Sequence, residues 1–342
     1  MLLLQSFKAG KGDSFLLTWG DKGQHHLLID AGSPGTYRFL KDHVSKFGSS
    51  DTVLVTHVDY DHIGGFLKWV NDQQQTIDPQ VRFFLNTPQL VITPPESDQV
   101  AVEHGAKLGQ RLQELGITPL PLFAEPGKGN KLDLYGLQLQ ILSPTPEILT
   151  ELINKWTASA IYQQYQRDNQ QQDNKVTGEN ESLLSAESIL ADPPKPHKWE
   201  DDLLNASSIA FILTYNGNCL LFLGDANPDV LCAELERLGW TKDKRLSVDL
   251  VKISHHGSRH NTTQNLLERI DCENYYISTD CSGPYHHPTR ETLVLLGAYG
   301  RPTENHPLHI FSNYALPLKR LLTAEEQKTM TVEEATRLAY NQ

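Results

Sequence analysis

Residues 56–65 read Thr-His-Val-Asp-Tyr-Asp-His-Ile-Gly-Gly, so His57, Asp59, Asp61 and His62 place four metal-binding side chains within six positions. They follow Thr52–Val55, a short β-branched run of the kind buried in a sheet. A strand that ends in a turn can aim alternate side chains into one cleft. Imidazole offers a borderline nitrogen and carboxylate a hard oxygen, and the mixture suits two divalent ions held close together. Gly64 and Gly65 let a following helix approach such a site closely.

Three later stretches repeat the pattern of an apolar strand ending in a polar group. Leu221-Phe222-Leu223 runs into Gly224-Asp225, whose carboxylate can bridge two ions, one to each oxygen; on its own, Asp225 would equally cap a following helix. Val251-Lys252-Ile253-Ser254 delivers His255 and His256. One of this pair would complete a metal site and the other would orient it or act on a leaving group. Leu27-Leu28-Ile29 ends at Asp30, placed to hold a metal-binding histidine by a hydrogen bond or to form an Asx-turn.

The elements that must position these groups are short. Strands are expected over 1–7, 14–19, 26–30, 52–55, 81–85 and 131–142, the last as a pair, with helices over 37–47, 63–71 and 98–115. A helix over 146–165 precedes a polar stretch, 163–202, which holds nine acids, four bases and the run Pro193-Pro194-Lys195-Pro196. Its composition predicts a mobile insertion within one domain of residues 1–320. Beyond it, a hairpin turns at Asn216-Gly217. Strands over 248–254, 275–278 and 309–312 then alternate with helices over 228–238, 262–270 and 288–299, and the tail 321–342 reads as a helix. Strands followed by helices in both halves fit two sheets with helices outside.

Together these residues resemble the metallo-β-lactamase fold superfamily, and most closely the hydrolase branch of the ComEC/Rec2 DNA-uptake proteins and their free-standing relatives. The resemblance rests on Gly10-Lys11-Gly12-Asp13-Ser14, the HxDxDHxGG run from His57 to Gly65, Asn205-Ala206-Ser207-Ser208, Gly224-Asp225, His255-His256-Gly257-Ser258 and His287-Pro288, in that order. It implies an α/β chain folded as an αββα sandwich of two mixed sheets flanked by helices. It also implies that His57 and Asp59 bind a first metal, that Asp61 and His62 bind a second with Asp225 bridging, and that His255 or His256 completes the second site. Asn205 and Ser208 would support these ligands, as would Asp30, and His287 would sit at the rim on substrate or leaving group. Two departures stand out: Asp59 replaces a usual histidine, and no histidine matches the ligand expected in mid-chain. A first site rich in oxygen shifts preference from zinc toward manganese or magnesium.

The implied chemistry is hydrolysis, because a divalent ion lowers the pKa of water toward neutrality. Asp61, His256 and His287 are the expected catalytic groups. Lys252, Ser258 and Arg259 flank the histidines and are expected to meet a phosphate, with Arg259 the best clamp. The leading expectation is a phosphodiesterase or nuclease acting on DNA. A small phosphodiester such as a cyclic nucleotide, or another ester, is the second reading, and a non-catalytic metal-binding interaction module the third. The acidic insertion is a candidate regulatory lid, relieved by a partner protein or by proteolytic nicking.

Composition bounds these readings. The chain has 342 residues and a net charge of −12, so a broad basic surface for non-specific nucleic-acid binding is not expected. No apolar run approaches eighteen residues, and the N-terminus lacks the charged region of a secretory signal, so no membrane role is expected. Cys219, Cys232, Cys272 and Cys281 have no CxxC spacing and read as reduced thiols of a cytoplasmic protein.

Overall fold

The computed structural model describes residues 1–86, 100–125, 131–156, 184–283, 286–301 and 307–340. Its strands are β1 (Leu2–Ser6), β2 (Phe15–Trp19), β3 (His25–Ile29), β4 (Thr52–Val55), β5 (Arg82–Leu85), β6 (Lys131–Leu134), β7 (Leu137–Ser143), β8 (Ala210–Tyr215), β9 (Asn218–Phe222), β10 (Leu246–Ser247), β11 (Leu250–Lys252), β12 (Ile270–Asp271), β13 (Asn274–Ile277), β14 (Leu308–Ser312), β15 (Met330–Glu334) and β16 (Arg337–Tyr340). One sheet runs in the order β16-β1-β2-β3-β4-β5 and the other β15-β14-β13-β11-β9-β8-β7-β6, with β10 and β12 a separate parallel pair. Both are mixed. The first is antiparallel from β16 to β3 and parallel from β3 to β5. The second is antiparallel from β6 to β9 and parallel from β9 to β15.

Strand alternation sorts the side chains into layers. Phe15, Leu17, Leu27, Ile29 and Leu54 of the first sheet meet Phe211, Leu213, Leu220, Phe222 and Leu250 of the second in a central core. Their neighbours Leu16, Leu28, Val53 and Val55 face the other way, under the helices Tyr37–Val44 and Tyr60–Val70. On the second sheet Ile212, Leu221 and Val251 likewise face outward, under Pro228–Arg237 and Arg290–Tyr299. Each buried Leu or Phe contributes roughly 1.5–3 kcal/mol by leaving water. The result is the αββα sandwich that the sequence implied. The β8–β9 turn sits where Asn216-Gly217 placed it; both residues have positive φ, 46° and 83°, as a two-residue hairpin needs.

The tail departs from expectation. Its Glu, Ala, Leu and Arg favour a helix intrinsically, yet β15 pairs parallel with β14 and β16 antiparallel with β1, completing one edge of each sheet. The sandwich therefore runs to Tyr340 rather than ending near 320. Tertiary context wins because β14 and β1 offer open edges, and Thr331 and Val332 suit a strand.

The polar insertion is also corrected in its described part. Residues 163–183 lie outside the described residues, but 184–202 is docked. A helix, Ala186–Ala191, is capped by Ser185 and buries Ile189 in the outer core of the second sheet. Trp199 packs on the outer core of the first. Two apolar anchors and backbone hydrogen bonds supply what the composition appeared to lack.

Candidate metal centre

Asp30, the run His57–His62, Asp225 and the pair His255-His256 follow the carboxyl ends of β3, β4, β9 and β11, where open α/β sheets place their ligands. The helix after β4 begins at Tyr60, three positions earlier than the pattern suggested, so Asp61 and His62 occupy its first turn. Asp59 stands at the N-cap yet makes no capping hydrogen bond, which leaves its carboxylate for the site. A Cβ on Gly65 would overlap the Ala31 carbonyl, so only glycine lets this helix approach the end of β3. Asp225 is not a cap either: Asn227 caps the helix Pro228–Arg237, accepting from the Asp229 and Val230 amides.

Asp225 is the hub. Its Oδ2 lies 3.9 Å from His57 Nε2, 3.4 Å from His62 Nε2, 3.9 Å from His255 Nε2 and 3.5 Å from His256 Nε2. The opposite nitrogen of each ring is held. His62 Nδ1 lies 2.7 Å from Asp30 Oδ2, an acceptor, so it carries the proton. His256 Nδ1 donates to the Ser278 carbonyl at 2.9 Å. His255 Nδ1 lies 3.2 Å from Asn261 Oδ1; Asn261 Nδ2 is spent on the Asp225 and Ala226 carbonyls, so its oxygen must accept. His57 Nδ1 lies 2.9 Å from Ser208 Oγ, which also accepts from the Asp225 amide. A hydroxyl oxygen has lone pairs for both. Holding Nδ1 in this way turns all four Nε2 atoms toward one carboxylate oxygen, where a metal can take them once it displaces any proton they carry.

The arrangement is buried and charged. His57 and Asp225 are each 2% exposed and His62 0%. Burial alone would raise Asp225, but His256, His62 and His255 hold it well below the usual carboxylate range. Burial would likewise raise Asp61, which His62, His256 and Lys11 keep low. In the absence of an ion, burial would depress His62, yet Asp225 and Asp30 raise it well above an ordinary imidazole. His256 is raised to about 9 against burial by Asp225 and Asp13. His287 is pushed well down by burial and by His255 and His256; its ring centroid lies 5.4 Å from that of His255, at the rim. His255 and His256 both have left-handed backbones, φ 48° and 56°. For residues other than glycine that costs about 1–3 kcal/mol each, strain that concentrates where geometry serves a site.

A divalent centre fits these residues. His57 Nε2, His62 Nε2, His256 Nε2, Asp59 Oδ1 and Asp225 Oδ1 are buried with no hydrogen-bond partner among the described residues, an arrangement costly without a ligand. Two overlapping donor groups, His57-His62-Asp225 and Asp61-His62-His256, have ligand atoms within 4.8 Å of one another. A third, Asp13-Asp30-His62, is better read as hydrogen bonding, since Asp30 accepts from the Thr56 amide, Thr56 Oγ1 and His62 Nδ1.

Other expected groups stand elsewhere. Among the described residues no hydrogen bond joins Asn205 to the histidines or to Asp225; its side-chain amide donates to both oxygens of Asp202 at 2.9 and 3.1 Å, and its Oδ1 is buried without a partner. Lys252 is 2% exposed, ion-paired with Asp13 and hydrogen-bonded to the Gly224 carbonyl, so burial bars it from meeting a phosphate. Its ammonium instead backs Asp225 Oδ1 at 3.9 Å, which directs Oδ2 alone toward the imidazoles. Ser258 is buried, its Oγ accepting from the His260 amide, and shapes the turn. Arg259 is exposed and pairs with Glu291 at 3.3 Å. Sequence reasoning gave no role to Asn261, Ser278, Asp13 or Asp202. Asp202 lines a cavity of about 10 Å³ with Asp225, His197 and His260, one wall of which belongs to the docked segment. No sequence signal marks Ser278, which acts through its carbonyl.

Residues 8–77, about a fifth of the chain, match the family model described as the metallo-beta-lactamase superfamily. No curated protein matches the sequence. Similar solved structures include the metallo-beta-lactamase fold protein YhfI from Bacillus subtilis, at 9% identity over 99% of this chain and 100% of that one, TM-score 0.46. Another is a diphosphatase of the PhnP family, at 11% identity over 100% of this chain and 98% of that one, TM-score 0.44. Zinc-bound PqqB from Methylobacterium extorquens is similar at 11% identity over 96% of this chain and 88% of that one, TM-score 0.41.

Proposed function

We propose that the protein is a metal-dependent phosphodiesterase of the metallo-β-lactamase superfamily, with DNA the polymer it cuts. The observation that carries the hydrolytic reading is the convergence of four fixed imidazoles on Asp225 Oδ2. His57, Asp59, Asp61, His62, Asp225, His255 and His256 would hold two divalent ions. Such ions supply Lewis acidity and activate water. Asp61, kept ionised, accepts the proton that the attacking water loses. The neutral His287 at the rim orients the leaving group. Arg259 stands outside the histidines and can meet an anionic oxygen after parting from Glu291. DNA as the substrate rests on the ComEC-like order of motifs, an argument by family resemblance.

The docked segment favours a second reading, a small phosphodiester such as a cyclic nucleotide. Asp202 and His197 close the wall beside Asp225, which a small ester would clear more easily than a polymer. Purified protein with supercoiled plasmid, beside Asp61→Ala, tests the first reading; bis(4-nitrophenyl) phosphate tests the second. Nicking that disappears in Asp61→Ala supports the nuclease. Turnover of the diester without nicking moves the assignment to small substrates. Activity on neither leaves the non-catalytic module. The assay compares manganese with zinc. Asp59 and Asp61 supply the hard oxygens that favour manganese, while both His255 and His256 face Asp225 and pull toward zinc.

A further inference from the structure

Lys252 and Ser258 are buried and Arg259 is paired with Glu291, so none of the groups that the sequence placed beside the histidines offers an unpaired cation. A different lysine stands at the opening. Lys11 is exposed at the tip of the turn Gly10–Gly12, between β1 and β2. The turn is pinned from three sides. The Gly10 amide donates to Tyr314 Oη at 3.0 Å, the Gly10 carbonyl accepts from the Asp280 amide at 2.9 Å, and the Gly12 carbonyl accepts from Ser278 Oγ at 2.8 Å. Ser278 is the residue whose carbonyl fixes His256. A Cβ on Gly12 would overlap the Asp61 carbonyl, so the turn lies directly on the metal-binding loop and admits only glycine there. The Lys11 stem passes Gly283, with Cδ 3.7 Å from where a Cβ on that glycine would stand.

Lys11 thus has a fixed base, a guided stem and an ammonium that makes no hydrogen bond or ion pair among the described residues. Its charge reaches Asp61. The other cations nearby are occupied: Lys252 by Asp13, Arg259 by Glu291.

We propose that Lys11 is a substrate-binding cation of the site, receiving a non-bridging oxygen of a phosphoester on the Asp61 side. The assignment rests on the phosphoester reading above and adds the group that selects for an anion. An ammonium on a short turn gives a point charge that tolerates either a diester or a terminal phosphate.

The test uses the full-length, metal-loaded protein with Lys11→Met and Lys11→Arg. Inorganic phosphate binding is measured by calorimetry, and bis(4-nitrophenyl) phosphate turnover in parallel. Metal content and Tm establish that each variant is folded and loaded. Lys11→Met is expected to weaken phosphate binding about tenfold, with the loss in diester turnover falling on KM more than on kcat, and Lys11→Arg to restore most of both. Equal phosphate binding by wild type and Lys11→Met overturns the assignment, even if the diester is cut. Absence of phosphate binding by the wild type overturns it as well. Phosphate binding that depends on Lys11, in a protein that cuts no diester, upholds Lys11 and defeats the phosphodiesterase reading.

Discussion

The imidazole cluster and the segment Ser185–Asp202 that walls it lie at the same end of the sandwich and are held by different means. In the cluster each Nδ1 has a hydrogen-bond partner, and the rings stand just beyond strand ends that cannot move without opening a sheet. The wall is held by the apolar anchors Ile189 and Trp199 and, beside the site, through its backbone. The Lys195 carbonyl accepts from His260 Nδ1 at 2.8 Å, the His197 carbonyl accepts from Asn227 Nδ2 at 2.8 Å, and the exposed His197 ring rests on His260 with centroids 4.0 Å apart. Side chains of the cluster are therefore constrained one by one, whereas those of the wall beside the site can vary while its path is kept. On the proposed function, chemistry would belong to the first and choice of substrate to the second.

The largest expected effect breaks the cluster at its hub. Asp225→Asn leaves four Nε2 atoms facing a group that offers half the charge-bearing oxygen, so metal content by elemental analysis falls below one ion per chain. Hydrolysis falls with it by roughly 10³-fold or more, about 4 kcal/mol of transition-state stabilisation. Metal content equal to wild type would remove Asp225 from the centre. Next comes the support beneath it. Asp30→Asn takes away the acceptor shared by His62 and Thr56 and should weaken metal binding about 10–100-fold in a chelator competition. Ser208→Ala removes one neutral hydrogen bond from His57 and should cost less, about 1 kcal/mol.

These residues differ in how readable they were. His57 to His62, Asp225 and the histidine pair announce themselves because a metal restricts residue type, and each follows an apolar strand. The layering was readable because alternation along β2, β3, β8 and β9 has a period of two. Their partners were not. Any residue can offer the Ser278 carbonyl, and Asn261 matters through a fold that brings it 3.2 Å from His255. Lys252 looked like a surface cation because sequence shows neither its burial nor Asp13, which the chain separates from it by most of the domain. The tail misled for a related reason, since its partners β14 and β1 are fixed only once both sheets exist.

Proton competition gives a prediction that the wall does not share. Without an ion, burial lowers His256 but Asp225 and Asp13 raise it to about 9, so the site holds a proton there at neutral pH that a metal must displace. Metal affinity should therefore rise with pH up to about 9, by up to tenfold per unit for a single proton. Stability of the stripped protein moves the other way. The folded pKa lies above the unfolded value near 6.5, so this contribution is complete below about 6.5 and is lost as pH rises through about 9. Thermal melts of stripped and manganese-loaded protein should diverge across that range, the stripped form falling. Parallel curves would show that His256 is not where the proton sits.

On the wall, His197→Ala should leave metal content unchanged and cost about 0.5–1 kcal/mol in stability from the lost ring contact. Its main readout is selectivity. The ratio of plasmid nicking to small-diester turnover should rise if the wall restrains access by a polymer, and an unchanged ratio would assign the ring to packing alone.

The last prediction lies farthest from the metal-binding side chains and concerns how the wall is tied at its start. Arg290 donates to the Leu184 carbonyl at 2.7 Å, to the Leu321 carbonyl at 2.6 Å and, through two nitrogens, to Glu326 at 2.8 and 2.7 Å. One guanidinium thus joins the docked segment to the C-terminal stretch leading into β15. Arg290 depresses Glu326 to about 2, working against burial and with help from Thr323. Because the folded pKa is depressed, this stability is present above the unfolded value near 4.5 and is lost as pH falls through about 2. Glu326→Gln keeps the shape and removes the charge, with an expected loss of about 1–2 kcal/mol and a fall of about 1–3 °C in Tm at neutral pH. The difference from wild type should shrink as pH falls from about 4.5 toward about 2, where the folded Glu326 itself becomes neutral. Amide exchange separates the two regions directly: Glu326→Gln should speed exchange in the helix Ala186–Ala191 while β4, β9 and β11 keep their protection. Uniform acceleration across all of these would mean that the wall and the metal centre unfold as one unit, and the division drawn between them would fail.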